Sequence, residues 1–351
     1  MNKIPVGVLG ATGLVGQRLV RRLATHPWFE LTAVTGSSRS VGRPYGEAVR
    51  WRLPGDPPED VAQMIVQESV PGVEASLLFS ALPSGVAREV EPALAQAGYV
   101  VSSNASAFRA APDVPLILPE ANADHLKLVH HQARTRGWKG FIITNANCVA
   151  IPTTLSLKPL YDAFGIDKVF LVTMQAISGA GYPGVASLDI VDNVIPYIGG
   201  EEPKIEAEPR KMLGTLGEGE IIDATFVVSA QANRVASRDG HMVCVSVKLH
   251  ERVSPEEAMA VMQAYRGTPQ RLGLPSAAAQ PIIVRMEDDR PQPARDRDVY
   301  GGMAVTVGRV RECPIFDLKY VVLGHNTEGG AAGAALLNGE LLAAKGYLDN
   351  R

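Results

Sequence analysis

Ile4-Pro5-Val6-Gly7-Val8-Leu9-Gly10-Ala11-Thr12-Gly13-Leu14-Val15-Gly16 decides the fold. Its first six residues make a short apolar run of strand character. Leu14, Val15, Leu19, Val20 and Leu23 then recur at helical spacing. Between the two lie glycines spaced G-x-x-G-x-x-G, a variant of the dinucleotide fingerprint. A tight turn, a close approach of backbone to a diphosphate, and contact between helix and strand all favour a residue with no Cβ. Glycines alone are a weak signal. Between an N-terminal strand and an amphipathic helix they predict a dinucleotide site over Gly10, Thr12, Gly13, Leu14, Val15 and Gly16.

The pattern continues outward. Pro27 ends the first helix and Leu31-Thr32-Ala33-Val34 is the next strand. Ala75-Ser76-Leu77-Leu78-Phe79 follows, then a helix over about 84–97 that stops at Gly98, then Tyr99-Val100-Val101 and Phe141-Ile142-Ile143. Alternation of this kind predicts an α/β fold with a Rossmann-like, doubly wound parallel sheet. The stretch 43–60, rich in Pro, Gly and charge, reads as a surface excursion. At the end of the second strand an NAD site expects an acidic residue for the ribose hydroxyls. This chain has Thr35-Gly36-Ser37-Ser38-Arg39-Ser40 instead. Hydroxyls and a guanidinium suit a 2′-phosphate, so NADP is the expected cofactor, read by Ser37, Ser38 and Arg39.

Beyond about residue 150 the texture changes. Longer, alternating strands are predicted over 168–174, 226–228, 242–249, 282–284, 305–307 and 320–323. A helix opens with Ser254-Pro255-Glu256-Glu257, a capping box with proline at the first helical position. This predicts an α+β domain on a mostly antiparallel sheet, which would also serve as a subunit interface. Gly329 to Ala344, rich in Ala and Leu, reads as a helix able to pack back on the first domain. The expected division is 1–148, completed by about 327–351, for the cofactor, and 149–326 for catalysis and dimerisation. A length of 351 residues, too great for one ordinary core, agrees with two domains.

A net charge of −3 with no basic stripe argues against a nucleic-acid partner. No apolar run approaches the ~20 residues of a membrane span. Met1-Asn2-Lys3 leads straight into a strand, so no signal peptide is expected. Three cysteines, odd in number and far apart, suit free thiols in a reducing cytoplasm. No metal is expected.

One of those cysteines ends Asn145-Ala146-Asn147-Cys148, where the strand over 141–144 stops and a helix is about to begin, with Pro152 in its first turn. A thiol there feels the positive end of the helix dipole, which is expected to lower its pKa from roughly 8.5 and favour the nucleophilic thiolate. Far downstream, Asn233-Arg234-Val235 and Gly240-His241 lead into a strong strand. An arginine forks a carboxylate bidentately, and a histidine exchanges protons near neutral pH. His26, His125, His130, His131 and His250 have bland contexts and read as surface or packing residues. His325 opens a loop where it can serve simply as a hydrogen-bonding residue.

Taken together, these motifs resemble aspartate-semialdehyde dehydrogenase, most closely its archaeal and fungal branch. The likeness also includes Gln175-Ala176-Ile177-Ser178-Gly179-Ala180-Gly181, Ser103-Asn104-Ala105-Ser106-Ala107-Phe108-Arg109, Pro119-Glu120-Ala121-Asn122, Val305-Thr306-Val307-Gly308-Arg309-Val310-Arg311 and His325-Asn326-Thr327. The resemblance implies Cys148 as acyl-thioester nucleophile, His241 as acid/base, and Gln175 as the residue that positions the acyl group. It implies Arg234 at the substrate α-carboxylate, Arg109 and Lys204 at the departing phosphate, and Glu201 at the amino group. Asn326 would lie close to the nicotinamide, and Ser178 and Gly181 would line the cofactor side. The implied substrate is L-aspartyl-4-phosphate, which releases phosphate, within a homodimer or homotetramer of amino-acid biosynthesis.

The chain departs from the family pattern at Ala236, where a proline is usual. It departs also within Glu208-Pro209-Arg210-Lys211-Met212, and at Glu328-Gly329, where Ile-Arg is common. None removes an implied catalytic group. Relatives that reduce malonyl-CoA or succinyl-CoA keep the same nucleophile, so an acyl-CoA donor is the alternative. A catalytically silent NADP-binding regulator and a phosphoglyceraldehyde-type dehydrogenase are further rivals.

Overall fold

A computed structural model describes residues 3–349. The two outermost residues at each end of the expected domains, Met1, Asn2, Asn350 and Arg351, lie outside the described residues.

Six parallel strands form the first sheet: β1 (Ile4–Leu9), β2 (Phe29–Val34), β3 (Leu77–Ser80), β4 (Val100–Ser103), β5 (Leu116–Ile117) and β6 (Phe141–Asn145). Their order is β2-β1-β3-β4-β6-β5, so the chain winds first to one side of β1 and then to the other. That reversal opens a crevice at the carboxyl ends of the strands. The helix Leu14–Leu23 follows β1 directly and buries Gly16, Leu19, Val20 and Leu23. The helix Ser84–Ala97 stops at Gly98, whose φ of 112° closes the C-cap. Some helices were not legible beforehand. Leu128–Arg136 buries only Leu128, Val129 and Gln132, too narrow an apolar stripe to mark a period.

The second sheet is built from β7 (Ile166–Gln175), β10 (Val227–Arg234), β11 (His241–Leu249), β12 (Ile282–Arg285), β13 (Val305–Glu312) and β14 (Leu318–Gly324). A small hairpin, β8 (Thr215–Leu216) and β9 (Ile221–Ile222), stands apart. The order is β10-β7-β11-β14-β13-β12. The three central pairings are antiparallel and both edge strands join in parallel, so the sheet is mixed. Along β11, Val243, Val245, Val247 and Leu249 point into a core shared with the helix Ala150–Phe164. The alternate residues, with Cys244 exposed among them, face outward. The capping box at Ser254 is present, with the Glu257 N–H donating to Ser254 Oγ at 3.2 Å.

The last helix, Gly333–Ala344, is buried from Gly333 through Leu342. Leu336, Leu337, Leu341 and Leu342 share a core with Val6, Phe79 and Val100 of the first sheet. It begins four residues later than the composition suggests, after a wider turn over 328–332. Gly330 lets that turn pass beneath the cysteine loop, since a Cβ there would stand 3.1 Å from Cys148 Cβ.

The excursion over 43–60 is more than surface. Tyr45 is fully buried and its hydroxyl donates to Ala11 O at 3.0 Å. Gln17 Nε2 donates to Thr12 O and Arg50 O, and Gln17 Oε1 accepts from Arg52 N. The polar composition concealed a segment that braces the glycine turn from outside.

Candidate active site

The glycine turn sits at the carboxyl end of β1. Gly10 takes φ 71°, and a Cβ there would come within 3.0 Å of Ala81 O. At Gly16 the demand is harder, for a Cβ would lie 2.3 Å from Gly10 O, so only glycine allows the helix to start so close to the turn. Gly13 is the N-cap and supplies no side-chain acceptor, which leaves the first-turn N–H groups near Leu14 and Val15 free to meet an anion. After β2, Ser37, Ser38 and Arg39 form an exposed turn, tied by Ser40 N to Ser37 O at 2.8 Å. Thr12 lies in the turn itself. Leu14, Ser178 and Gly181 line one cavity of about 530 Å³, so two distant segments meet there. Asn326 joins them: its Nδ2 donates to Ser178 Oγ at 2.8 Å, and its Oδ1 accepts from Gly240 N at 2.8 Å.

The second cluster gathers at one rim of the mixed sheet. Gln175 ends β7, Arg234 ends β10 and His241 begins β11. Parallel pairing puts Arg234 beside Gln175, and antiparallel pairing sets Met242 beside Met174. All three side chains are buried. The register alone therefore brings together residues separated by up to 66 positions in the chain. Gly179 passes directly over them; a Cβ there would stand 2.8 Å from Arg234 Nη1 and 2.9 Å from His241 Cε1.

Cys148 enters this rim from the first sheet, two residues before the helix Ala150–Phe164. Its Sγ lies 3.3 Å from His241 Nε2. The other ring nitrogen is occupied, because Ala176 N–H donates to Nδ1 at 3.0 Å. A nitrogen that accepts cannot carry a proton, so the neutral ring holds its hydrogen on Nε2, facing the sulfur. Burial, then Arg234 and His325, push His241 down to about 3. Burial and Glu201 push the Cys148 thiol up to about 12, against Arg109 and Arg234. The expectation of a lowered thiol pKa is thus reversed. Burial dominates at a sulfur that stands two residues outside the helix. At neutral pH the pair is therefore neutral thiol and neutral imidazole.

Asn147 ties the cysteine loop to its surroundings. Its Oδ1 accepts from Val149 N at 2.8 Å and its Nδ2 donates to Glu201 Oε1 at 2.9 Å. Glu201 Oε2 lies 3.5 Å from Lys204 Nζ. Lys204 and Arg109 line a second cavity, of about 580 Å³. Arg234 Nη1 donates to Ala176 O at 2.8 Å, which holds the guanidinium against the loop after β7. The predicted residues therefore fall into the glycine turn with its cavity, the rim around Cys148, and the cavity of Arg109 and Lys204, while Ser37, Ser38 and Arg39 form a separate exposed turn after β2.

Three residues in this region carry interactions that were not foreseen. Glu208 and Lys211 hold the Arg109 loop from beneath. Glu328 is buried among Arg18, Arg21 and Arg22 of the helix Leu14–Leu23. Burial works against its charge, yet Arg22 and Arg18 hold its carboxyl below the usual range. The acidic departure at 328 had no local signal; three arginines at 18, 21 and 22 were its only trace. Of the histidines set aside, His26 and His125 are buried packing residues, with His26 Nε2 2.9 Å from Glu340 Oε1. His325 Nδ1 accepts from Thr327 N at 3.4 Å. Among the described residues no group of three or more His, Cys, Asp and Glu could hold a metal ion, and no helix is long and apolar enough to cross a membrane.

The family profile "Semialdehyde dehydrogenase, NAD binding domain" matches residues 5–129, and "Semialdehyde dehydrogenase, dimerisation domain" matches 157–328. The aspartate-semialdehyde dehydrogenase of Methanothermobacter thermautotrophicus is 53% identical over 97% of this chain and 99% of its own. The chain belongs to the aspartate-semialdehyde dehydrogenase family. It is an oxidoreductase with a Rossmann-like first sheet and a mixed second sheet, as the family's structures have. The Schizosaccharomyces pombe aspartate-semialdehyde dehydrogenase is 46% identical over 98% of this chain and 99% of its own. The crystal structure of the Candida albicans aspartate-semialdehyde dehydrogenase with NADP matches at a TM-score of 0.91 and 42% identity, covering 98% of this chain and 99% of that one.

Proposed function

We propose that this chain catalyses NADP-dependent reductive dephosphorylation of L-aspartyl-4-phosphate to L-aspartate 4-semialdehyde through a thioester on Cys148. The observation that carries the reading is the 3.3 Å contact of Cys148 Sγ with His241 Nε2, at a sulfur on which the charges of both Arg234 and Arg109 act. A substrate with a carboxylate at one end and a phosphate at the other suits a thiol with two guanidinium groups in reach.

The turn over 10–16 fits a dinucleotide, because Gly16 packs against Gly10 O to keep the turn tight and the Gly13 N-cap leaves the first-turn N–H groups without a side-chain acceptor. Gly10, Thr12, Gly13, Leu14, Val15 and Gly16 would hold its diphosphate. Ser178, Gly181 and Asn326 would hold the nicotinamide, and Ser37, Ser38 and Arg39 a 2′-phosphate. When bound, NADPH supplies the hydride that reduces the Cys148 thioester.

Cys148 attacks the acyl carbon. The C–S bond forms, the bond to phosphate breaks, and the thiol proton is balanced by the proton that phosphate gains. Gln175 positions the acyl group, and the Nε2–H of His241, beside the sulfur, stabilises the charge that develops there. Arg234 clamps the α-carboxylate and Glu201 receives the amino group, which fixes the acyl carbon against sulfur. After reduction the thiohemiacetal on Cys148 collapses to aldehyde and thiolate, and the same Nε2–H steadies the sulfur as it leaves.

The family profile for 157–328 is described as a dimerisation domain, and the outer face of the mixed sheet exposes Phe170 and Cys244. Both support a homodimer or homotetramer that uses this face. The three unpaired cysteines support a cytoplasmic setting. NADPH oxidation with aspartyl phosphate, set beside malonyl-CoA and succinyl-CoA, tests the substrate. Turnover with the phosphate alone is expected; turnover only with a CoA thioester overturns it, and turnover with neither favours a silent regulator.

A further inference from the structure

Glu208 and Lys211 stand one turn apart on the helix Glu202–Met212, and the chemistry above gives neither a role. Lys211 Nζ donates to three main-chain carbonyls: Arg109 O at 2.8 Å, Ala111 O at 2.8 Å and Val114 O at 3.0 Å. An ammonium has three protons, so every one is committed to the loop over 109–114. That loop is wound around a single largely enclosed charge. Burial lowers Lys211 to about 8, while Asp223, Asp113 and Glu208 pull the other way, and at neutral pH the ammonium keeps its proton.

Glu208 ties the Arg109 side chain to the cysteine loop. Its Oε1 accepts from Arg109 Nη1 at 3.3 Å, and its Oε2 accepts, in a short contact, from the N–H of Asn147. Arg109 Nη2 donates to Asn104 O at 2.7 Å. The guanidinium is therefore held at two nitrogens while its own carbonyl is held from below. Each Nη still has a second hydrogen to offer, and the group lines the cavity it shares with Lys204. Through Glu208 the same brace reaches the residue that precedes Cys148. A planar fork meets a tetrahedral oxyanion well in few orientations, so fixing both its plane and its distance from the sulfur has a direct chemical use.

We propose that Lys211 and Glu208 are positioning residues that orient Arg109 toward the phosphate of the acyl donor and lock it in register with Cys148. This rests on the reading of Arg109 as a phosphate-end residue. Both border the cavity of Arg109 and Lys204, but all three Lys211 protons and both Glu208 oxygens are committed to protein partners, so they act through Arg109.

The test uses the whole enzyme in the phosphorolytic direction, with semialdehyde, NADP and inorganic phosphate varied in turn. Lys211→Met raises the KM for phosphate by about tenfold or more, while the KM for semialdehyde and the Kd for NADP stay within about twofold. Lys211→Arg, which keeps a charged donor, recovers most of the loss. Melting curves identify a variant that fails to fold, and Glu208→Gln then carries the same test with the same expected selectivity for phosphate. Equal rises for phosphate and semialdehyde, or no rise in a folded variant, overturn the brace. Arg109→Ala separates the two readings. If it leaves the phosphate KM unchanged, the phosphate-end assignment falls and the brace with it. If it raises that KM while folded Lys211→Met does not, the brace alone falls.

Discussion

The turn over 10–16 offers backbone, whereas the rim at Gln175, Arg234, His241 and Cys148 offers side chains. The turn is one contiguous segment whose shape follows from missing Cβ atoms, with Gly16 tolerating nothing larger beside Gly10 O. The rim is assembled from the ends of three strands and a loop of the other sheet, and its reactivity follows from burial. A backbone site is general and needs only sterics, so related turns can serve many dinucleotide enzymes. A side-chain rim is specific, and every ionisable group placed there has its charge altered by neighbours.

The largest expected effect concerns that alteration. With the thiol raised to about 12, the thiolate fraction of Cys148 grows about tenfold per pH unit between pH 7 and 10. Alkylation of Cys148 by iodoacetamide should follow that slope without a plateau. A plateau near pH 7 would show that burial does not govern the sulfur, and the contrast between the regions would weaken.

The next effect belongs to the turn. Gly16→Ala forces a Cβ against Gly10 O and should lower stability by about 1–3 kcal/mol, read by denaturant melts. NADP affinity, read by calorimetry, should fall as well, while the alkylation profile of Cys148 keeps its shape. A simultaneous change in that profile would mean that the two regions are mechanically coupled.

How far each region could be read in advance follows from the same contrast. β1, its glycine turn and the helix after it are local, so spacing alone delivered them. Strands β7, β10 and β11 were legible as alternation, but their register was not, and it is register that sets Arg234 beside Gln175. Cys148 could be singled out by its place between strand and helix. Its neutral state could not, because burial at the meeting of the two sheets, and the Glu201 carboxylate beside it, depend on residues distant in the chain. Lys211 and Glu328 were invisible for a similar reason: one is defined by main-chain carbonyls and the other by three arginines more than 300 residues away.

Arg234→Lys probes the rim with a smaller change. Lysine lacks the parallel donors of a fork, so the KM for aspartyl phosphate should rise by about 1.5–3 kcal/mol in free-energy terms. NADP affinity should hold. If the variant loses thermal stability and keeps its KM, Arg234 only braces the loop through Ala176 O. Smallest is Arg39→Ala in the exposed turn after β2. It should weaken NADP by about tenfold, the lower range of a charge-assisted contact, because solvent screens the site. NAD binding should stay unchanged; equal losses would remove Arg39 from cofactor selection.

The central claim is that acyl transfer to Cys148 precedes any reduction. Mixing the enzyme with aspartyl phosphate in the absence of NADPH, quenching rapidly in acid and mapping peptides by mass spectrometry tests it directly. An aspartyl adduct confined to Cys148, with phosphate released and neither event seen in Cys148→Ser, is the predicted result. Phosphate release without an adduct, or full reductase activity in Cys148→Ser, would contradict it.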